Sequence, residues 1–315
     1  EVYNGSFTDD PFKLNSDYSD VHIEQYGQKN IVEGDIQGNH QDVNIYQESG
    51  DEIDDNYSSV LIRASWGGTS QYVDIDQIGE NSSWVEIHGD GNDVTHYQYG
   101  TDNESTPYIG NNTAITDIDG DHNTSNIEQE GNNGGNQIVL LGGPSIPLAP
   151  GAEHYITGNN NSADTEQDGN DNLASITQDG DDNTARQLQD AWNKIPGTKD
   201  ANNEADRNMS AIGQEGDWNI AETYQFGDDN DVLIGQKGDG NEAYTDQGVW
   251  NQERPAATGL DASHGYGNWL QYMVEGNDNK FWGIQYGDDN KMDIDLTYTD
   301  GDEHDNYIDA KQLGD

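Results

Sequence analysis

Between residues 208 and 247, small or apolar side chains fill every second position of four short runs: Ser210 and Ile212, Ala221 and Thr223, Val232 and Ile234, Ala243 and Thr245. The positions between them carry Met209, Ala211, Ile220, Glu222, Tyr224, Asp231, Leu233, Glu242, Tyr244 and Asp246, a more polar and more acidic set. A period of two predicts short strands with one lined face. Each run opens on an Asn and closes on a Gln: Asn208 to Gln214, Asn219 to Gln225, Asn230 to Gln236 and Asn241 to Gln247. The connecting stretches read Gln-x-Gly-x-x-Asn, with Gly216, Gly227 and Gly238 at the glycine position. Glycine supplies positive φ and Asp or Asn bonds its own backbone, so these stretches predict turns.

A strand and turn of this size cannot bury its lined face alone, so neighbouring units must stack. Two strands per turn of chain, climbing at the inter-strand spacing of about 4.8 Å, make an all-β solenoid whose rungs repeat one another. Gln and Asn then fall on their own kind and are expected to form amide ladders along the axis.

The pattern runs through most of the chain. Residues 1–18 lack it, and suit an export address, a cover for the first rung or a disordered tail. Degenerate units follow at Ser19 to Gln25 and Val43 to Gln47, then Gln71 to Gln77, Asn92 to Gln98 and Asn123 to Gln129. Further units are Asn161 to Gln167, Asn172 to Gln178, Asn183 to Gln189, the run from 208 to 247, Asn279 to Gln285 and Asn306 to Gln312. Turn glycines are expected at Gly27, Gly100, Gly169, Gly180, Gly216, Gly227, Gly238 and Gly287. Irregular stretches near 48–70, 131–160, 190–207 and 252–267 read as loops leaving a continuous stack. The second holds GGPSIPLAPG, whose prolines do not suit a central strand. Residues 19–315 thus form one domain of roughly twelve rungs, a rod of about 55–60 Å.

Composition changes the picture in three ways. Only 30% of the 315 residues are hydrophobic, which argues against a thick core but suits a thin two-layer solenoid. Lys and Arg number 12 against 62 Asp and Glu, a formal charge of −50 that excludes nucleic acid as a partner and disfavours anionic membranes. Carboxylates stacked at about 4.8 Å repel by nearly 1 kcal/mol per pair even in water, so the chain looks adapted to salt or to divalent cations. Finally, the absence of cysteine removes disulfides and thiolate chemistry. The start at Glu1 and the lack of a long apolar run lead us to expect a mature, secreted, extracellular product.

The joint recurrence of Asn-x5-Gln and Gln-x-Gly-x-x-Asn resembles the curlin repeat, the unit of the major subunit of curli, a functional amyloid of bacterial biofilms. The resemblance spans residues 19–315 apart from the loops. Departures are the length, the acidity, the loops, and apolar residues at Ile36, Ile87, Ile118, Val274 and Leu296 where the pattern has Gln, so an interrupted amide ladder is expected. The resemblance implies a subunit that assembles with itself into cell-surface fibres, served by a nucleating subunit and a secretion machinery. Physics leads the same way: a last strand as regular as the middle (Asn306, Ile308, Ala310, Gln312) offers an edge for pairing, and matching open ends build filaments.

Other chemistry is thinly marked. Asp117, Asp119 and Asp121 have the spacing of a calcium loop, although no Glu completes an EF-hand, so cations are expected to bind diffusely and no cofactor is required. The histidines His22, His40, His88, His96, His122, His154, His264 and His304 are dispersed, and no enzyme activity is expected. Tyr26, Tyr99, Phe226 and Tyr286 should point outward, and Trp192, Trp218, Trp250 and Trp269 lie by turns or loops. They suit stacking on neighbouring rungs, glycan binding or lateral packing. A monomeric β-solenoid binding module, such as a calcium-dependent adhesin or glycan binder, is the alternative to a fibre subunit.

Overall fold

The computed structural model describes residues 2–3, 13–14, 19–26, 31–37, 41–48, 57–63, 71–78, 80–88, 91–99, 101–103, 106–109, 111–132, 151–170, 172–189, 207–247, 267–286, 289–297 and 306–313. The strands are β1 (Val2–Tyr3), β2 (Lys13–Leu14), β3 (Ser19–Tyr26), β4 (Ile31–Gln37), β5 (Gln41–Glu48), β6 (Tyr57–Arg63), β7 (Gln71–Ile78), β8 (Glu80–His88) and β9 (Asp93–Tyr99). A small hairpin, β10 (Thr101–Asn103) with β11 (Thr106–Ile109), precedes β12 (Asn111–Asp119), β13 (Thr124–Asn132) and β14 (Gly151–Thr157). Next come β15 (Ser162–Asn170), β16 (Leu173–Asp179), β17 (Thr184–Gln189), β18 (Met209–Glu215), β19 (Ile220–Gln225), β20 (Asp231–Lys237) and β21 (Glu242–Gln247). The last are β22 (Trp269–Glu275), β23 (Lys280–Tyr286), β24 (Lys291–Thr297) and β25 (Tyr307–Leu313).

Successive strands alternate between two parallel sheets. The twelve-stranded sheet runs β1-β3-β5-β7-β9-β13-β15-β17-β19-β21-β23-β25, and the eleven-stranded sheet β2-β4-β6-β8-β12-β14-β16-β18-β20-β22-β24. A chain that returns to the same sheet every second strand is a coil, with one strand of each sheet per rung, so this is an all-β solenoid. Burial follows the two-residue period: β18 and β20 both bury every second side chain. The core between the sheets is thin. It is lined by Val43, Ile45, Val73, Ile75, Val85 and Ile87 in the early rungs and by Leu270, Tyr272 and Phe281 in the late ones. The rings of Tyr272 and Phe281 stack at 4.3 Å. The position where the rung before carries Thr245 is Gly283, which leaves room for this larger pair.

Several expectations need correction. The stretch 48–70 contains β6, a full rung strand between β4 and β8, with Ser58, Val60 and Ile62 in register with Ser83, Val85 and Ile87. Likewise the stretch 131–160 contains β14, which joins β12 to β16 in register. β14 keeps the alternation but has Pro150 and Ile156 where the motif has Asn and Gln, and β6 follows Asn56 but has Ile62 in place of Gln, because pairing in a parallel sheet needs only the backbone and a suitable inward set. Gly169 continues the ladder inside β15, opposite Gly131, rather than forming a turn. Between the units at Asn92 and Asn123 the chain forms the β10–β11 hairpin, and the next rung strand starts at Asn111. Within residues 1–18, β1 pairs with β3 and β2 with β4, so these two short strands cover part of the first rung. Gly27, Gly100 and Gly287, Trp192 and Trp250, and the loops at 190–206 and 252–266 fall outside the described residues.

Candidate functional site

The repeat motif is explained by two polar ladders and one turn. In the twelve-stranded sheet eleven glutamines share one register position, and each donates from Nε2 to Oε1 of the next. The bonds run Gln25 to Gln47, Gln77, Gln98, Gln129, Gln167, Gln189, Gln225, Gln247, Gln285 and Gln312, at 2.7 to 3.1 Å. The second Nε2 hydrogen crosses to the other sheet in many rungs, as from Gln189 to the Leu173 carbonyl and from Gln225 to that of Met209. Both amide hydrogens are thus used in a dry interior, where an unmade bond costs about 1–3 kcal/mol.

The eleven-stranded sheet behaves differently. There Gln178, Gln214 and Gln236 form a short ladder, flanked in register by Ile156 and Val274. Gln178 Oε1 is buried without a hydrogen-bond donor, since the rung before offers only Ile156. The apolar replacements noted above, at Ile36, Ile87, Ile118, Val274 and Leu296, all lie in this sheet, and Ile62 and Ile156 occupy the same column. The expected interruption is therefore confined to one sheet, and the other ladder is continuous.

Asparagines form the second ladder. Asn92 accepts from the Asn123 N–H at 2.8 Å and donates from Nδ2 to the Gly120 carbonyl at 2.8 Å. Asn123, Asn161 and Asn183 repeat both bonds on the rung after them, with Gly158, Gly180 and Gly216 as carbonyl partners. The carboxamide thus bridges two backbone groups three residues apart, and this is why Gly and Asn keep their spacing. The backbone bond continues from Asn219 to Asn241 and Asn279, while Asn306 donates from its side chain to Asn279. On the other edge the series is Asn172, Asn208, Asn230, Asn268 and Asn290.

The turns hold two left-handed positions. Gly120, Gly158, Gly180, Gly216, Gly238 and Gly276 form a column at positive φ, and a Cβ at Gly180 would lie 2.2 Å from the Gly216 carbonyl oxygen. Gly227 takes the same conformation in the opposite turn. In many turns the residue before the motif Asn is also left-handed: His122, Asn160, Asp182, Arg207, Trp218, Asp229, Asp278 and Asp289 occupy that position, and Gly91, Gly240 and Gly267 do so in three further turns. Behind the glycine column, side-chain oxygens of Asn159, Asp181, Asp217, Asp239 and Asn277 each accept a backbone N–H from the turn before.

Sequence reasoning missed a buried polar chain in the middle of the core. Ser83, His96, Thr116, Ser125, His154 and Thr165 are linked in series at 2.6 to 2.9 Å. Gln187, Ser210 and Thr223 extend it through Thr165. Burial holds both imidazoles far below the usual histidine range, at about 3, so both are neutral. Their inward parity, as in Val94-x-His96-x-Gln98, was the available signal.

Of the calcium candidates, Asp117 and Asp119 lie on the outer face of β12 and Asp121 in the following turn. Burial and then the Glu86 carboxylate raise the Asp117 pKa. No group of three or more His, Asp or Glu among the described residues could hold a metal ion. Outer aromatics do stack: Tyr244 lies 5.3 Å from Tyr224 and 4.3 Å from Trp282. Tyr26 pairs with Tyr46 at 5.6 Å, Trp269 carries the Lys291 ammonium at 4.5 Å, and Trp218 projects from its turn, 66% exposed. Basic residues sit one rung from an acid, as with Arg186 and Asp164, Lys237 and Glu215, and Lys280 and Glu242.

A family model described as curlin associated repeat matches residues 158–186 and 202–238. These two segments of the chain carry curlin repeats. The repeats relate it to the structural subunits of curli, and the matched segments coincide with the most regular part of the ladders and turns. No curated protein and no solved structure matches the chain.

Proposed function

We propose that the chain is a secreted structural subunit whose solenoids stack end to end into extracellular, curli-type fibres of a biofilm matrix or cell surface. One observation carries this reading. Among the described residues, six hydrophobics packed on the core stay only partly buried, and all belong to the terminal rungs: Val21 and Val32 in β3 and β4, Ile294, Leu296, Ile308 and Ala310 in β24 and β25. Continuing the register from one copy to the next would set Ile308 over Val21, Ala310 over Ile23 and Gln312 over Gln25. The first two contacts bury apolar surface, and the third extends the amide ladder. Such a head-to-tail contact does not close on itself, so it builds filaments.

The partner is therefore another copy of the chain, with a nucleating subunit and secretion machinery as further partners from the curli relationship. No cofactor is needed, and cations act by screening the acidic outer columns. Nucleic acid and membrane insertion play no part, nor does catalysis. The test is electron microscopy and fibre diffraction of the purified chain across a salt series. Unbranched filaments with a repeat near 4.8 Å, appearing as charge is screened, are expected. A chain that stays folded and monomeric at every salt concentration overturns the proposal in favour of a binding module.

A further inference from the structure

The two short N-terminal strands occupy seats that a second copy would need. By register, Val2 lies opposite Ile23 and Tyr3 opposite Glu24, while Lys13 lies opposite Asp35 and Leu14 opposite Ile36. Following the columns through the twelve-stranded sheet, Ile23 aligns with Ala310 and Glu24 with Lys311. Through the other sheet, Asp35 aligns with Asp295 and Ile36 with Leu296. A solenoid stacked on this end would therefore put Ala310, Lys311, Asp295 and Leu296 where Val2, Tyr3, Lys13 and Leu14 now sit.

We infer that β1 and β2 are a built-in competitor for the end of the fibre, an intramolecular cap that must leave before another copy's last rung can dock on β3 and β4. The inference rests on the end-to-end reading above. The cap is small: two residues pair in each sheet, against seven in each of β24 and β25. It has the lower ordering cost, because it is tethered, and the incoming rung offers the larger contact.

Charge separates the two occupants. The cap places a Lys opposite Asp35, whereas an incoming rung places Asp295 there and Asp293 opposite Glu33. Only the Lys311 column, opposite Glu24, favours the newcomer. Salt weakens the Lys–Asp match of the cap and the acid–acid repulsion of the newcomer together, so both changes shift occupancy toward the second copy. The cap thus keeps subunits apart in dilute salt and yields as ionic strength rises.

The test uses the full chain carrying Tyr3→Pro and Leu14→Pro, which remove backbone donors from both short strands. Its melting temperature and circular dichroism are compared with those of the native chain, and its fibre lag time is followed at matched salt. A lag shortened several-fold with the fold unchanged is expected, together with slower elongation of native seeds when a peptide of residues 1–18 is added in excess. Native chain that forms fibres while the variant shows the same or a longer lag, and the peptide has no effect, overturns the cap but leaves the fibre reading standing. Filaments from neither chain overturn both.

Discussion

Gln285 donates from Nε2 to Oε1 of Gln312 at 2.7 Å, closing a series of amide bonds that begins at Gln25. Gln312 itself gives one hydrogen to the Lys291 carbonyl at 2.7 Å. The repeat assigns its other hydrogen to a glutamine one rung further on, the place that Gln25 of another copy would fill. The ladder is therefore polar, with donors leading toward the C-terminal rung and acceptors toward the N-terminal one.

The ladder also sets local stability. Gln189 accepts from Gln167 and donates to Gln225 and to the Leu173 carbonyl. Gln189→Ala leaves three buried groups without a partner and opens a cavity, so a loss of about 3–5 kcal/mol is expected in urea unfolding. Thr177→Ala, on the exposed face of β16, should change stability by less than about 0.5 kcal/mol.

Two glycines offer a sharp contrast. Gly180 has φ of 134°, and a Cβ there would meet the Gly216 carbonyl, so Gly180→Ala should cost about 2–4 kcal/mol. Gly213, in the middle of β18, has open space around the same position. Gly213→Ala should be neutral or stabilising by up to about 1 kcal/mol. Thermal melts of the two variants at one salt concentration decide the point.

Acid should weaken the core through its imidazoles. His96 is bonded by Ser83 and Thr116, and His154 by Ser125 and Thr165, with no carboxylate among these partners. Their folded pKa lies near 3, below the unfolded value of about 6.5. The unfolded chain therefore binds the protons first, and stability is lost as pH falls from about 6.5 toward 3. At pH 5 each ring costs about 2 kcal/mol. A charged ring would also present two N–H donors where the neutral one presents a donor and an acceptor, breaking the series of bonds.

Burial raises the carboxyl groups of Asp76, Asp93, Asp117, Glu153 and Asp231, so they act in the opposite direction. The folded chain holds those protons more tightly and gains stability as pH falls through their folded values. Comparing native chain with a His96→Gln, His154→Gln double variant at pH 7 and pH 5 isolates the histidine part. A pH-dependent loss that is equal in both chains would contradict it.

Much of this was legible from period and spacing. Asn-x5-Gln fixed the inward parity, as at Asn219, Ala221, Thr223 and Gln225, all buried. The strands at β6 and β14 were hidden because the motif residues report where ladders run, while a strand needs only alternation and a neighbour. His154 shows the same limit: next to three nearby prolines it suggested a loop, yet in place it bonds two core hydroxyls. Which sheet carries the unbroken glutamine column depends on counting strands through the irregular stretches, and no local pattern gives that count. A cover for the first rung was one of three readings of residues 1–18, and the pattern could not choose among them, since β1 and β2 are two residues each.

The most direct measurement of end-to-end stacking is cross-linking between rungs of different copies. Asp20 and Tyr307 share one outward column at opposite ends of the solenoid, and the chain has no cysteine of its own. In a D20C/Y307C variant they cannot meet within one molecule. Stacked in register, they would lie about 4.8 Å apart across a junction, within the span of a disulfide. Mild oxidation of assembled fibres is expected to give a ladder of covalent multimers that a reductant dissolves. Fibres that oxidise without yielding multimers would contradict the stacking of last rung on first.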